Sequence, residues 1–231
     1  MFMKPMRAVL FANGPVSHYE PVRALLGDED YFIAVDGGLL HMDRLGIQPC
    51  TLLGDLDSAD PLRVLELEQA GVEVLRYPPE KNETDLELAL TLAAGKGCRD
   101  ILVIGALGGR LDHTLSNLSL LGMSALKGCR VRLEDGFQEA GYLRAGEEVA
   151  IDGTPGDLIS LLPWEGAAGG VTTEGLKYPL SKEALSPQRS RGVSNVMLAD
   201  CARVRVMEGG LIFLHLRSHH QAVDCVCDQK G

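Results

Sequence analysis

Two carboxylates stand two residues apart in the segment Gly54-Asp55-Leu56-Asp57-Ser58, directly after the short apolar run Thr51-Leu52-Leu53. If that run is a β-strand, Asp55 and Asp57 leave its carboxyl end on the same side, close enough to share a hard cation. A paired carboxylate at this position suggests a magnesium-phosphate site. Because Asp and Gly are also common turn residues, the pair alone is equally consistent with an ordinary turn.

Three further polar clusters follow predicted strands in the same half of the chain. They are Asp36-Gly37-Gly38, Lys81-Asn82-Glu83-Thr84-Asp85 and the segment from Gly105 to His113. Ligands of an open α/β sheet bind beyond the carboxyl ends of its strands, so four such loops would line one acidic, glycine-rich pocket. The hard oxygen ligands that favour Mg²⁺ over zinc at this edge are Asp36, Asp55, Asp57 and Asp85.

The segment Gly108-Gly109-Arg110-Leu111-Asp112-His113 adds the positive side of this pocket. Its glycines let backbone N–H groups approach phosphate oxygens, Arg110 offers a planar set of donors, and the next helix presents its positive end. Lys81 is a second candidate phosphate contact. Other interpretations stay open: Asp112 as a helix N-cap, His113 as a surface residue and Asp85 as a partner of a helix dipole. Because the chain has no Walker loop and no GxGxxG motif, phosphates must be held in another way.

The hydrophobic pattern of residues 1–136 predicts the elements that position these side chains. Short apolar runs alternate with helical patterns, which indicates a doubly wound, mostly parallel α/β domain. The helix from Asp85 has the clearest pattern, since Leu86, Leu90 and Ala93 recur at helical spacing and Thr84 can cap its N-terminus. The predicted strands are Ala8–Phe11, Tyr31–Val35, Thr51–Leu53, Glu73–Tyr77, Ile101–Ile104 and Val131–Leu133, and the predicted helices are Pro21–Leu26, Leu39–Leu45, Pro61–Ala70, Asp85–Ala94 and Thr114–Leu126.

Residues 137–231 are predicted to form a second, small all-β domain. Long helical patterns stop after Gly136, glycine becomes frequent and short alternating runs appear. The segment Glu208-Gly209-Gly210 is predicted to be a hairpin turn, and Trp164 is expected in the core. The predicted strands are Asp157–Leu162, Val171–Thr173, Val204–Met207 and Leu211–Leu216.

Composition excludes several functional classes. The 231 residues are 45% hydrophobic and 23% charged, as in soluble globular proteins, and the net charge of −10 argues against binding nucleic acid through a basic surface.

No window approaches the roughly 18 to 20 apolar residues of a membrane span, and Met1–Leu10 lacks secretory-signal features, so a cytoplasmic protein is expected. The six cysteines lack zinc-type spacing and are expected to be buried fillers or surface thiols, with Cys225 and Cys227 in a frayed tail.

The ordered set of motifs resembles the thiamine pyrophosphokinase family. The resemblance covers the four clusters of the first domain and, in the second, Thr173-Glu174-Gly175-Leu176-Lys177-Tyr178 and Ser194-Asn195. Each motif is weak by itself, but their order and spacing span most of the chain. The resemblance implies an N-terminal α/β domain that binds ATP and magnesium, a C-terminal β-sandwich that helps to bind thiamine, and a homodimer with active sites between subunits.

The same resemblance implies roles for individual residues. Tyr178 stands where some family members have tryptophan, so it either stacks on the pyrimidine ring of thiamine or is a half-buried strand aromatic. The implied residues are Asp36, Asp55, Asp57 and Asp85 for magnesium and diphosphate, with Asp55, Asp57, Asp85 and Arg110 catalytic; Asp36, Lys81, Gly108, Gly109, Arg110, Asp112 and Asn117 for ATP; and Tyr178, Ser194 and Asn195 for thiamine.

The resulting hypothesis is transfer of the β,γ-diphosphate of ATP to the primary alcohol of thiamine, with AMP leaving. Magnesium and Arg110 would stabilise the developing charge, and either Asp85 or Asp57 would accept the hydroxyl proton. Two alternatives stay open, namely a pyrophosphokinase acting on another alcohol such as a pterin, and a non-catalytic sensor of nucleotide or thiamine. The motifs at Tyr178 and Ser194-Asn195 argue against the first, and the four acidic positions argue against the second.

Overall fold

The computed structural model describes residues 7–218. The chain divides into two compact units, the first ending at Gly136 and the second starting at Phe137. Among the described residues, no helix is both long and apolar enough to cross a membrane. Cys98 is buried, Cys129 and Cys201 are half-buried, and Cys50 is exposed. The two cysteines of the C-terminal tail, Cys225 and Cys227, lie outside the described residues.

The first unit contains, within residues 7–136, a parallel sheet in the strand order β4-β3-β2-β1-β5-β6. This arrangement confirms the predicted doubly wound α/β fold. Short 3-10 turns cover Asp36–Gly38 and Ser124–Leu126. The strands are β1 (Arg7–Phe11), β2 (Tyr31–Val35), β3 (Thr51–Gly54), β4 (Glu73–Arg76), β5 (Asp100–Ile104) and β6 (Arg130–Glu134), and the helices are α1 (Tyr19–Ala24), α2 (Leu39–Leu45), α3 (Pro61–Gln69), α4 (Asp85–Gly95) and α5 (Leu111–Leu120).

Both faces of this sheet are covered. Val9 and Phe11 of β1 belong to a buried cluster with Val22, Met42 and Leu67 of helices α1, α2 and α3. In the central strands β1, β3 and β5 the alternate positions are equally buried, and α4 packs against β2 and β3. Burial on both faces explains why these strands are unbroken apolar runs rather than alternating ones. The strands therefore form a rigid platform whose carboxyl ends fix the loops that follow them.

The helix after the glycine-rich loop differs from its predicted bounds of Thr114–Leu126. Helix α5 begins at Leu111, because Gly108 and Gly109 both have positive φ and complete the turn before it. It ends at Leu120, where Gly122 interrupts the helical pattern. The cap predicted for α4 is confirmed, since the Thr84 hydroxyl accepts the N–H of Glu87 at 3.2 Å.

The second unit is an all-β sandwich organised around one long strand, β9. The strand order is β7-β13-β9-β12-β8, and β10 and β11 also pair with β9. Side chains of β8, β9, β12 and β13, including Ile151, Ile159, Ala202 and Phe213, form one buried cluster. The strands are β7 (Gln138–Leu143), β8 (Glu148–Asp152), β9 (Leu158–Glu174), β10 (Glu183–Leu185), β11 (Asn195–Val196), β12 (Cys201–Arg205) and β13 (Glu208–Leu216).

Two predictions for this unit were wrong, namely the hairpin turn at Glu208–Gly210 and the core position of Trp164. The predicted strands Asp157–Leu162 and Val171–Thr173 are confirmed as strand from Leu158 on, but both belong to the single strand β9, which bends where Glu165 and Gly166 take positive φ values of 63° and 139°. The predicted hairpin at Glu208–Gly210 is absent from the described residues, because β12 and β13 each pair with β9 and β13 already begins at Glu208. The bend lets the first part of β9 pair with β13 and its last part with β12. Trp164 is half-buried beside this bend rather than in the core.

Candidate active site

A pocket of about 700 Å³ lies at the carboxyl edge of the first unit's sheet. Its lining comes from the loops after β1, β2 and β5 and from the first turns of α4 and α5. Strand β1 has β2 on one side and β5 on the other, so the strand order reverses at β1. The crossover connections on the two sides of β1 leave room between the loops that follow these strands. The edge above such a strand is where open α/β sheets bind ligands.

Three carboxylates meet beside this edge. Asp36 follows β2, while Asp55 and Asp57 follow the adjacent strand β3, and one oxygen from each lies within 4.8 Å of the others. Gly54 makes this approach possible: it has a φ of 146°, and a Cβ there would lie only 3.1 Å from the Cβ of Asp36. The chain therefore needs glycine immediately before Asp55 for the pair to reach Asp36.

Asp36 is held in a position that is costly for a carboxylate without a cation. Its φ of 47° is in the left-handed region, and among the described residues its buried Oδ1 has no hydrogen-bond partner. Burial raises the pKa of Asp36, and the neighbouring charges of Asp55 and Asp57 act in the same direction. A buried acceptor without a donor, beside two more carboxylates, is what a Mg²⁺ ion would satisfy. The residues present therefore fit a hard divalent cation.

Asp85 lies outside this group of three, although Asp36 and Asp85 both line the pocket. Asp85 opens helix α4, and its Oδ1 is 3.1 Å from the ammonium of Lys81. Lys81 also donates to the carbonyl of Pro78 at 3.2 Å, and its side chain is only 11% exposed. Asp85 thus lines the pocket as one member of an ion pair, while its partner Lys81 is not among the lining residues.

The glycine-rich loop after β5 forms the opposite wall. Gly108, Gly109 and Arg110 are exposed and lead into α5, whose first N–H groups have no side-chain cap from Arg110. Arg110 forms a two-point ion pair with Asp112, at 2.6 Å and 3.2 Å, which lowers the pKa of Asp112 to about 2. The amide of Asn117 donates to the carbonyl of Ala106 at 2.9 Å and so holds this loop to the helix.

Sequence reasoning missed the loop after β1. Asn13, Gly14 and Pro15 line the pocket, and the Gly14 N–H donates to the carbonyl of Gly105 at 2.8 Å. The imidazole of His41 reaches the carbonyl of Gly14 from α2. The signal for the loop was in the chain, because Asn-Gly-Pro directly after an apolar strand is a turn at a strand's carboxyl end. Nothing in the local sequence pointed to His41.

The three candidate residues of the second unit lie close together within that unit. The side chain of the buried Asn195 accepts the N–H of Tyr178 at 2.9 Å and donates to the Tyr178 carbonyl at 2.7 Å. Tyr178 is 52% exposed, and the ammonium of Lys177 lies 5.5 Å from the centre of its ring. Ser194 has a φ of 56°, and its N–H donates to the hydroxyl of Ser160 at 3.0 Å. Asn195 therefore positions an exposed aromatic face.

Two family profiles match the two units in turn. Residues 22–133 match the profile described as thiamin pyrophosphokinase, catalytic domain, and residues 148–211 match the one described as thiamin pyrophosphokinase, vitamin B1 binding domain. A curated relative, thiamine pyrophosphokinase of Bacillus subtilis strain 168, is 28% identical over 205 residues, which cover 89% of this chain and 96% of the relative.

Solved structures with these names have the same fold. The crystal structure of the Bacillus subtilis thiamine pyrophosphokinase matches with a TM-score of 0.81 and 27% identity, covering 92% of this chain and 99% of that one. The thiamin pyrophosphokinase of Geobacillus thermodenitrificans matches with a TM-score of 0.78 and 25% identity, covering 93% and 99%. The profiles, the curated relative and the solved structures agree, and the chain belongs to the thiamine pyrophosphokinase family.

Proposed function

We propose that this family member transfers the diphosphate group of ATP to the hydroxyl of thiamine, giving thiamine diphosphate and AMP, and that the pocket above β1 and β5 holds the ATP. The observation that carries this assignment is the group Asp36, Asp55 and Asp57 at the same sheet edge as a glycine-rich helix N-terminus. The aspartates offer ligands for a cation, and the helix N-terminus offers hydrogen-bond donors for phosphate oxygens.

Asp36, Asp55 and Asp57 are the proposed ligands of Mg²⁺, with Asp85 as a further acidic group of the same site. The buried Oδ1 of Asp36, which lacks a hydrogen-bond partner among the described residues, supports this role. When bound there, magnesium would offset the negative charge of the phosphate oxygens. The three carboxylates would fix the position of the cation, because the backbone at Asp36 and Gly54 allows them little movement.

Phosphate oxygens are proposed to contact Arg110, Lys81 and the first N–H groups of α5. Arg110 is 72% exposed in its side chain, and its partner Asp112 is bound through a surface ion pair that water screens. A phosphate can therefore compete for the guanidinium at little cost. Gly108 and Gly109 have no side chain to block the approach of phosphate to the backbone. We assign Asp112 and Asn117 to the same nucleotide wall, as residues that hold Arg110 and the Ala106 carbonyl.

In the proposed reaction the oxygen of the thiamine hydroxyl forms a bond to the β-phosphorus of ATP. The bond from that phosphorus to the oxygen bridging the α-phosphate breaks, and AMP leaves with this oxygen. The hydroxyl proton passes to a carboxylate, for which Asp57 and Asp85 are the two candidates. Arg110 stabilises the charge that spreads over the transferred group, and holding both substrates in line supplies much of the remaining rate enhancement.

Tyr178, Ser194 and Asn195 are proposed to bind thiamine from the β-sandwich. The exposed ring of Tyr178, whose backbone Asn195 fixes at both its N–H and its carbonyl, supports stacking on the pyrimidine ring. We also propose a homodimer, which the family resemblance implies. The exposed apolar side chains of Val193 and Leu198, near the same segment, support an interface there, and sedimentation equilibrium of the purified protein tests it.

Product identity tests the proposed function. The purified protein with Mg·ATP and thiamine should form AMP and thiamine diphosphate in equal amounts, and AMP should not appear without thiamine. Formation of ADP instead would refute diphosphate transfer. A pterin alcohol offered in place of thiamine serves as the control for acceptor choice, and a faster reaction with the pterin would refute thiamine as the acceptor.

A further inference from the structure

His41 lies in the first turn of α2, directly after the turn that carries Asp36, and its ring connects three parts of the first unit. Its Nε2 is 2.8 Å from the Gly14 carbonyl, and its Nδ1 is 2.8 Å from the Tyr19 hydroxyl. Because a carbonyl can only accept, Nε2 must carry the proton. In the neutral ring, Nδ1 then accepts the O–H of Tyr19.

Arg44 continues this chain of hydrogen bonds. Its guanidinium donates to the Tyr19 oxygen at 3.1 Å and lies 5.8 Å from the centre of the Tyr19 ring. The hydrogen bonds therefore share one direction. Arg44 donates to Tyr19, Tyr19 donates to His41, and His41 donates to the carbonyl of Gly14. Burial lowers the pKa of His41 by more than the bond to Gly14 raises it, and the charge of Arg44 lowers it further. The ring is accordingly neutral at pH 7, as the chain of bonds requires.

The chain of hydrogen bonds ends at the carbonyl of Gly14, a residue that lines the pocket. Gly14 donates its N–H to the Gly105 carbonyl, and a Cβ at Gly14 would overlap that same carbonyl. Its carbonyl is held by His41 and its N–H by the loop after β5, so the backbone at Gly14 is fixed from both sides. Loss of the His41 bond would leave a half-buried carbonyl without its donor and free the loop between Ala12 and Pro15.

We propose that His41 is a positioning residue for the nucleotide pocket and acts by holding the Gly14 carbonyl in place from α2. The inference rests on the proposed function in taking ATP as the ligand of this pocket. In this role His41 acts through its two hydrogen bonds, from Nε2 to the Gly14 carbonyl and from the Tyr19 hydroxyl to Nδ1.

The test compares His41→Phe, which keeps an aromatic ring without a donor, with His41→Gln, whose amide N–H can still reach a carbonyl. Calorimetry with Mg·ATP should show affinity about tenfold weaker for His41→Phe, the loss expected when the half-buried Gly14 carbonyl loses its donor. His41→Gln should stay within about threefold of the wild type, as expected when a neutral hydrogen bond is replaced by another. In kinetics, the KM for ATP should rise while kcat and the KM for thiamine change less than about twofold, because the lost binding energy is the same in the ground state and the transition state.

Two tyrosine variants complete the test. Tyr19→Phe removes the hydrogen bond to Nδ1 that helps to hold the His41 ring in place, and it should weaken ATP binding by about threefold, as one neutral hydrogen bond. Tyr31→Phe is the matched control, since its hydroxyl bonds Thr51 and Glu73 near the amino end of β2, and it should leave ATP affinity unchanged. If His41→Phe does not fold, His41→Gln and Tyr19→Phe still decide the question.

Three results would overturn the inference: wild-type ATP affinity in a folded His41→Phe or Tyr19→Phe protein, equal weakening by His41→Gln and His41→Phe, or a parallel rise of both KM values. A wild-type protein that binds Mg·ATP but forms no thiamine diphosphate refutes the proposed function alone, because the calorimetric comparison still tests His41. A wild-type protein that binds no ATP refutes both.

Discussion

Replacing Asp36 with asparagine tests whether the cluster of Asp36, Asp55 and Asp57 is a cation site. Asparagine keeps the shape of the side chain and tolerates the left-handed φ of 47° at this position, so the change removes little except the charge. In buffer without divalent metal, we expect the variant to be more stable than the wild type. With Mg²⁺ present, we expect the wild type to gain most of the stabilisation.

The magnitude follows from the distances in the cluster. The carboxylate oxygens lie within 4.8 Å of one another, and at that limit two unit charges repel by about 1 kcal/mol in a water-like medium and by about 3.5 kcal/mol at an effective dielectric constant near 20. Because Asp57 is exposed, the lower part of this range applies, and a gain of about 1 to 2 kcal/mol in unfolding free energy is expected. The sign agrees with linkage: the pKa of Asp36 is raised above 3.8 in the folded state, so ionisation at neutral pH costs stability.

Urea denaturation at pH 7 measures this effect, once with EDTA and once with millimolar Mg²⁺. Asp28→Asn is the control, because Asp28 is exposed in the loop before β2, at the opposite edge of the sheet. It should change stability by less than about 0.5 kcal/mol, as surface substitutions do. Equal stability of the wild type and Asp36→Asn in EDTA, or equal stabilisation of both by Mg²⁺, would refute the repulsive cluster and its assignment to a cation.

Three further predictions test other parts of the molecule. Asp57→Asn should lower kcat by about 10²-fold or more with unchanged unfolding free energy or a small gain, and near wild-type turnover would remove Asp57 from the centre. Asn195→Ala should raise the KM for thiamine about tenfold while sparing the KM for ATP, because both backbone bonds to Tyr178 are lost; equal changes in the two constants would argue against a thiamine role. The carboxylates of Glu139 and Asp157 raise the pKa of His215 although burial alone would lower it, so the free energy of unfolding should fall as pH rises above 6.5, by at most about 1.4 kcal/mol per unit. In His215→Gln this slope should disappear, and an unchanged slope would exclude His215 as its source.

Much of the α/β unit was predictable because its information is local. Unbroken apolar runs mark strands that are buried on both faces, and the polar residues after each run mark the carboxyl edge where the sheet binds ligands. Asp36, Asp55 and Asp57 could be assigned to one edge for this reason. The β-sandwich was less predictable, because its pairing depends on contacts distant in sequence. Strand β9 bends at Glu165 and Gly166 and pairs with β12 and β13, which follow much later in the chain.

His41 shows what local sequence could not reveal about the site. It reaches Gly14 only because α2 packs beside β1, and a histidine on an amphipathic helix gives no sign of such a contact. Asn195 differs, because the motif Ser194-Asn195 placed it in the thiamine site, but its contact with Tyr178, seventeen positions away, is a result of tertiary packing. Both residues act on backbone groups of other segments, and these contacts could not be read from the local sequence.

Strand order explains why three of the predicted aspartates meet while Asp85 stands apart. Strands β2 and β3 are neighbours, so the residues that follow them, Asp36 and Asp55, are brought together by sheet pairing alone. Strand β4 is at the edge of the sheet, and α4 must cross over β3 and β2 to return the chain to β5 beyond β1. Asp85, in the first turn of that crossover, therefore enters the pocket from a helix rather than from a strand end. A carboxylate carried on the crossover can contact a bound nucleotide without belonging to the proposed cation site, which is why Asp57→Asn and Asp85→Asn should differ in their dependence on Mg²⁺ concentration.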